Sequence, residues 1–173
     1  LITGTNRGIG KTLATEFAKN GANIIAHARR ETPEFVQMCT ELAETYGVSV
    51  TPLFFDMTDS DAMKTAVRNL VSAKTPIDVL VNNAGVAHGG LFQMTSMAKI
   101  REIFDVNLFF QMDLTQLLLR YMMKRGKGSI IYLGSVMGLD LPQGSCAYGV
   151  SKAALMAFMQ TLAVESAPHG VRV

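Results

Sequence analysis

Short apolar runs alternate with longer stretches of helical periodicity along the whole chain, and this alternation limits the possible folds more than any other feature. Residues 1–3, 23–28, 48–55, 77–81 and 128–133 read as strands. Between and after them, a segment from about Ile9 to Lys19 and then 34–46, 59–72, 97–104, 106–124 and 148–167 read as helices. In the first helix Leu13, Ala14, Phe17 and Ala18 recur at helical spacing, and Asn20-Gly21 supplies a stop. Asp59 or Ser60 caps the third. Strands that are apolar through their length and separated by helices predict a parallel sheet covered on both faces. With 49% hydrophobic residues in 173 and no repeat, linker or low-complexity segment, residues 1–173 are expected to form one domain. Only two apolar residues precede the first glycine turn, where a strand of about five or six is usual. Gly170 to Val173 reads as the entry to another strand, so truncation at both ends is the expectation.

Chemistry enters at two places. Gly4, Gly8 and Gly10 lie between the first strand and the first helix. Glycine allows a tight turn and close approach of backbone to a pyrophosphate, while a helix beginning near Ile9 presents free N–H groups and its positive dipole end to that anion. The spacing TGxxxGxG differs from GxGxxG, and a plain turn with incidental glycines explains such a cluster about equally well when it stands alone. Tyr148 and Lys152 are four residues apart and so share one helix face. An ammonium beside a phenol favours the phenolate, as proton exchange with a carbonyl or alcohol oxygen requires. Ser135, thirteen positions upstream, offers a hydroxyl to the same oxygen. Taken alone, Tyr-x-x-x-Lys fits an exposed lysine beside a half-buried tyrosine better than it fits a site.

Several function classes are disfavoured. Lys+Arg 16 against Asp+Glu 14 gives a net charge of +2, with no basic run or aromatic-basic alternation to bind nucleic acid. Cys39 and Cys146 lack CxxC spacing, and His88 and His169 have no companion ligand, so neither a metal nor a disulfide framework is expected. His27, on a strand, reads as a satisfied core histidine. No signal sequence or apolar run long enough for a membrane span appears, and a reducing cytoplasm is the expected location. The eleven Met residues suit core or interface packing.

TGTNRGIG at 3–10, Asp56, NNAG at 82–85, Asn107 within VNLFF, Ser135 within LGSVMG and YGVSK at 148–152 stand in the order and spacing of the short-chain dehydrogenase/reductases. The chain resembles that family over essentially its whole length, and around Ser135 and Tyr148 it is most similar to the 3-oxoacyl-(acyl-carrier-protein) reductase branch. The resemblance implies a Rossmann-type doubly wound sheet with a nicotinamide dinucleotide at the carboxyl ends of the strands. Members continue with two further strands, a Pro-Gly motif and a substrate lid, which this sequence does not contain. Carried over by position, Tyr148 is the general acid in reduction, Lys152 tunes it and holds the nicotinamide ribose, and Ser135 orients the carbonyl. Asn107 kinks a helix and links Lys152 to solvent through a water.

Gly4, Asn6, Arg7, Gly8, Ile9 and Gly10 surround the pyrophosphate and adenosine ribose in that pattern. Asp56 and Met57 lie beside the adenine, and Asn83, Ala84 and Gly85 run under the ribose. Where NAD enzymes place an acid, the chain has Ala28-Arg29-Arg30. Arg7 and Arg29 can bracket a 2′-phosphate, so NADP is expected, with Arg30 as a solvated surface residue. Met137, Leu139 and Leu141 would line a partly apolar substrate cleft, with Cys146 facing it as an inert filler. The function implied is NADP(H)-dependent reduction of a small carbonyl substrate, a 3-oxoacyl thioester carried on acyl carrier protein. The alternatives are a sugar- or steroid-type alcohol dehydrogenase and a non-catalytic dinucleotide sensor. Residues 153–159 and the 106–124 helix are apolar around their circumference, so a homo-oligomer, a tetramer or dimer, is expected through those helices.

Overall fold

A computed structural model describes residues 1–173. The chain divides into two compact units, one made of Leu1–Pro76 with Leu80–Ala84 and the other of Ile77–Val79 with Gly85–Val173.

The first unit contains α1 (Gly8–Lys19), β1 (Ile24–Ala28), α2 (Pro33–Tyr46), β2 (Val50–Phe54) and α3 (Ser60–Ser72). β1 and β2 are parallel in a register that runs from Ile24 opposite Val50 to Ala28 opposite Phe54. All five residues of β1 are buried, which explains its unbroken apolar run apart from His27. The expected first strand is reduced to Ile2, which bridges in parallel to Ala26 on one side and Val81 on the other. Local chemistry sets the helix ends. Thr32 accepts from the Phe35 N–H, Gly47 closes α2 with φ 65°, and the Asp59 carboxylate accepts from Ala62 as the expected cap of α3. Gly21, with φ 79°, donates to the Ala18 carbonyl just past α1.

The second unit contains α4 (Met97–Phe104), α5 (Phe110–Arg125), β4 (Gly128–Tyr132), α6 (Met137–Asp140), α7 (Cys146–Ser166) and β5 (Val171–Arg172). The chain passes between the units within β3 (Val79–Asn82). β4 pairs in parallel with β5, and Ser129 N–H donates to the Asp78 carbonyl at 2.9 Å. Arg125 and Lys127 flank the Asp78 carboxylate, at 2.5 and 3.5 Å. Phe110, Leu114, Leu118 and Met122, four residues apart along α5, form its buried stripe, while Phe109 on the same turn is exposed.

The sequence suggested two helices interrupted near Asp105. The backbone instead stays helical and widens into one π turn over Asp105–Phe109, centred on Asn107. Helix α7 begins at Cys146, two residues before the expected start, and periodicity gave no hint of the four-residue α6. None of these helices is long and apolar enough to cross a membrane.

His27 deserves its place inside β1 because it is fully satisfied. Its Nδ1 accepts the Gly4 N–H at 3.2 Å, and Nε2, which must then carry the ring hydrogen, donates to the Phe55 carbonyl at 3.0 Å. The ring also lies against Phe55, with centroids 4.0 Å apart. Burial pushes its pKa down to about 4, against the opposing pull of the Phe55 carbonyl and the Asp56 charge. An unfolded histidine titrates near 6.5. Between those values the unfolded chain binds a proton that the folded chain refuses, so stability is present above about pH 6.5 and is lost as pH falls toward 4. The loss amounts to roughly 3 kcal/mol at most. Urea unfolding at a series of pH values should show a steeper decline through this window for the wild-type chain than for His27→Gln. Equal slopes would remove His27 as the cause.

Candidate active site

In the first unit the glycine turn leaves an open face at the start of α1. Gly4 and Gly8 adopt φ of 70° and 55°, a region that side chains rarely enter. A Cβ on Gly10 would run into the Gly4 carbonyl and come within 2.5 Å of Asn83 Nδ2, whereas one on Gly8 would meet nothing within 4 Å. Gly10 therefore serves internal packing, and Gly8 leaves an open face. At the start of α1, Arg7 makes no side-chain cap and the first turn carries no acid. Its free N–H groups and positive dipole end thus remain available to a phosphate. Asn6, Arg7 and Ile9 are exposed around this turn. The residues present fit a pyrophosphate.

The turn is held from behind by groups whose role was not apparent in the sequence. Thr3 Oγ1 accepts from the Asn83 and Ala84 N–H groups, both at 3.0 Å. Asn83 Nδ2 donates to the carbonyls of Thr3 and Gly4 at 2.8 and 3.2 Å. Asn83 was expected under a ribose; its amide nitrogen is committed to the turn itself. His27 secures Gly4 through its ring, and its carbonyl accepts from Thr5 N–H and Oγ1.

At the end of β1, a hollow of about 270 Å³ is lined by Asn6, Ala28, Arg29, Arg30, Thr32 and Phe35. No acid stands there. Arg30, expected to be solvated, lines the hollow beside Arg29, while Arg7 is not among the lining residues. Arg29 Nε also pairs with Asp56 Oδ2 at 2.6 Å. Asp56 Oδ1 accepts from Thr58 N–H and Oγ1, and these bonds, led by the Thr58 N–H and joined by Arg29, hold the carboxyl below the usual range. Met57 follows, half-buried.

The second unit gathers the residues expected to handle protons. Ser135 and Tyr148 line one open cleft of about 590 Å³, together with Val136, Met137, His88 and Gln143. Two glycines allow this arrangement. A Cβ on Gly138 would lie 2.9 Å from Ala153 N, and one on Gly149 would lie 2.6 Å from Met137 O, so α6 can seat its backbone directly on α7. Ser135 Oγ accepts from Met137 N–H at 3.2 Å, and its own hydrogen is left to donate. Leu139, Leu141 and Cys146, expected to face the cleft, are exposed and not among its lining residues. Helix α6 turns Leu139 outward, and Cys146 occupies the first, open turn of α7.

Lys152 is 4% exposed, one turn beyond Tyr148 on α7. Its Nζ donates to the Leu133 carbonyl at 2.7 Å rather than to the phenol. Burial pushes its pKa below the ordinary lysine range. Asn107 is fully buried in the π turn. Its Oδ1 accepts from Val86 N–H at 2.8 Å, and Nδ2 donates to Val86 O at 3.0 Å and to Ser151 Oγ at 3.1 Å. Ser151, unremarked in the sequence although inside YGVSK, passes its hydrogen to Tyr148 O at 2.7 Å. Both amide hydrogens of Asn107 are therefore used, and one lone pair of Oδ1 remains. Gly85 leaves room beside that oxygen: a Cβ there would lie 3.1 Å from it and 3.8 Å from Lys152 Nζ.

Comparison with known proteins bears on the family and the fold. The family model for short chain dehydrogenases matches residues 1–173. A ketoacyl reductase from Nostoc sp. is 33% identical over 173 residues, covering all of this chain and 60% of that protein. A 3-oxoacyl-[acyl-carrier-protein] reductase from Thermotoga maritima is 35% identical over 173 residues, with all of this chain and 70% of that protein covered. The solved structure of a short-chain dehydrogenase from Streptomyces avermitilis superposes with a TM-score of 0.90 at 31% identity, covering 99% of this chain and 62% of that one. That of L-sorbose reductase from Gluconobacter frateurii, complexed with NADPH and L-sorbose, gives 0.92 at 31% identity, with 99% and 65% covered. The chain thus spans about 60 to 70% of the length of these relatives. Its fold is the Rossmann-type doubly wound parallel sheet with helices, and the chain belongs to the short-chain dehydrogenase family.

Proposed function

We propose that the protein containing this chain is an NADP(H)-dependent oxidoreductase that reduces a ketone, of the 3-oxoacyl thioester kind, to a secondary alcohol. The observation that carries this reading is that Ser135 and Tyr148 line one cleft, with the buried Lys152 one helical turn beyond Tyr148. A bound nicotinamide dinucleotide would supply the hydride. Tyr148 donates its phenolic proton to the substrate oxygen, and the free Ser135 hydroxyl hydrogen-bonds the same oxygen as charge develops on it. Lys152, buried one helical turn beyond Tyr148, would hold the nicotinamide ribose. Asn107 holds the loop at Val86 and, through Ser151, the first turns of α7; its remaining Oδ1 lone pair is the point at which a water could return a proton toward Lys152. The glycine turn of the first unit, from Gly4 to Gly10, would hold the pyrophosphate.

The relatives support the thioester class, since one is named a ketoacyl reductase and another a 3-oxoacyl-[acyl-carrier-protein] reductase. Preference for NADP rests on Arg29 and Arg30 around a hollow that lacks an acid, with Arg7 on the neighbouring turn. Both cysteines are free thiols, which suits a reducing cytoplasm. A homo-oligomer, a dimer or tetramer through α5 and α7, would cover Phe109 and Val164, which are 54% and 76% exposed.

Tyr148→Phe in the full-length protein should lower the turnover of acetoacetyl thioesters by roughly 10²–10⁴-fold while leaving NADPH binding nearly intact. Near-wild-type turnover in this variant would sink the proton-transfer assignment. If the unmodified protein binds NADPH and turns over no carbonyl compound at all, a dinucleotide sensor becomes the better reading.

Cofactor choice can be read separately by titrating NADPH and NADH into the protein. Ala28→Asp combined with Arg29→Ala should move the preference toward NADH, because a carboxylate repels the 2′-phosphate and accepts from ribose hydroxyls. A wild-type protein that binds both equally contradicts the role given to the arginines.

Sedimentation of the full-length protein at micromolar concentration should give a dimer or tetramer. A monomer there refutes the assembly through α5 and α7.

A further inference from the structure

Three polar residues that line the cleft have no part in the proton-transfer reading, His88, Gln143 and Ser145. Gln143 is exposed, and the neighbouring Ser145 spends its hydroxyl on the Pro142 carbonyl at 2.5 Å. His88 is different because it is half-buried and its orientation is held. Nε2 lies 3.3 Å from Thr95 Oγ1, and that hydroxyl gives its own hydrogen to the Leu91 carbonyl at 3.0 Å. The Thr95 oxygen can therefore only accept from the ring, which places the hydrogen on Nε2. In the uncharged ring Nδ1 then carries a lone pair, and the structure gives it no protein partner. Gly90 keeps the arrangement possible, since a Cβ there would stand 3.1 Å from both His88 Nε2 and Thr95 Oγ1. Its N–H donates to Gly144 O at 2.8 Å, fastening the His88 loop to the opposite segment of the cleft wall.

We propose that His88 determines the specificity of this cleft, its Nδ1 accepting a hydrogen bond from an N–H or O–H that the carbonyl substrate carries beyond its reacting carbon. The inference rests on the carbonyl-reductase reading above and narrows it. A ketone without such a donor leaves the acceptor unpaired once the substrate has displaced water, and sites built around one fixed polar group discriminate on that basis. Two substrate sources share this chemistry: the amide N–H in the arm of a carrier-linked thioester, and a hydroxyl next to the ketone in a sugar-like compound.

The test uses the full-length protein with NADPH and two substrate pairs, each differing in the donor. Acetoacetyl N-acetylcysteamine thioester is set against its S-butyl counterpart, and hydroxyacetone against acetone. In at least one pair the donor-bearing member should be favoured in kcat/KM by roughly tenfold or more, mainly through KM, and the pair that shows it identifies the source. His88→Leu should bring that ratio close to one. His88→Gln, whose carbonyl oxygen still accepts, should retain part of it, and Thr95→Val, which releases the ring, should weaken it. A purely structural role for His88 would lower all four substrates together, leave the ratios unchanged and overturn the inference, as would a wild-type protein with no preference in either pair. Complete absence of ketone turnover by the wild type would overturn the reductase reading and this inference with it.

Discussion

The buried amide of Asn107 is the interaction on which the second unit's site depends. It satisfies both the N–H and the C=O of Val86 and reaches Ser151 on α7, so one side chain fixes a loop and a helix at once. A buried amide left without partners costs on the order of 1–3 kcal/mol per group, which makes any alternative placement of Val86 or α7 unfavourable. The π turn over Asp105–Phe109 is the backbone's accommodation of this demand: the extra residue in the turn accompanies an amide pointed out of the helix and into those partners. Ser151 then passes the constraint to Tyr148 O, in the same turn that carries the phenol and Lys152.

A second constraint is steric. Gly138 and Gly149 have no side chain where α6 meets α7, and a methyl group at either position would come within 3 Å of the other segment's backbone. Contact this close cannot be relieved by rotating a flexible side chain. It is what brings the segment bearing Ser135 to the segment bearing Tyr148, and it explains why glycine occupies the position directly after the tyrosine. In the first unit the equivalent work is done by hydrogen bonds. Thr3 Oγ1 fixes the Asn83 backbone, the Asn83 amide and the His27 ring bind the backbone at Thr3 and Gly4, and the N–H groups at the start of α1 are left without a side-chain cap.

Much of this was legible before any coordinates. The alternation of strand and helix, the cap at Asp59, the stop at Asn20-Gly21 and the placement of Tyr148 and Lys152 on one helix face all follow from local rules, because each depends on residues within about one helical turn of one another. A shared oxygen for Ser135 and Tyr148 was suggested by the residues and implied again by the family resemblance, which alone implied a departure from regular helix at Asn107. The sequence was silent where a side chain's partner is set by a distant neighbour. Lys152 Nζ binds the Leu133 carbonyl, Asn83 is spent on the glycine turn, and Leu139 and Cys146 point away from the cleft. His88 was passed over because a search for metal-ligand spacing finds no partner for it. Its partner is a threonine seven residues on, brought near by the turn at Gly90.

The sequence by itself determined the order of strands and helices, the conformational freedom of the glycine turn and the spacing of the reactive side chains, since periodicity, capping and chain geometry act over a few residues. Tertiary structure alone decided which polar atoms remain free to meet a ligand. That choice depends on hydrogen bonds between residues 20 to 80 positions apart, such as Gly4 with His27 and Asn83 with Thr3, and a buried donor or acceptor takes the partner that packing brings to it. The same rule leaves the Ser135 hydroxyl hydrogen and His88 Nδ1 uncommitted in the cleft while Asn107 and Lys152 are bound into its support.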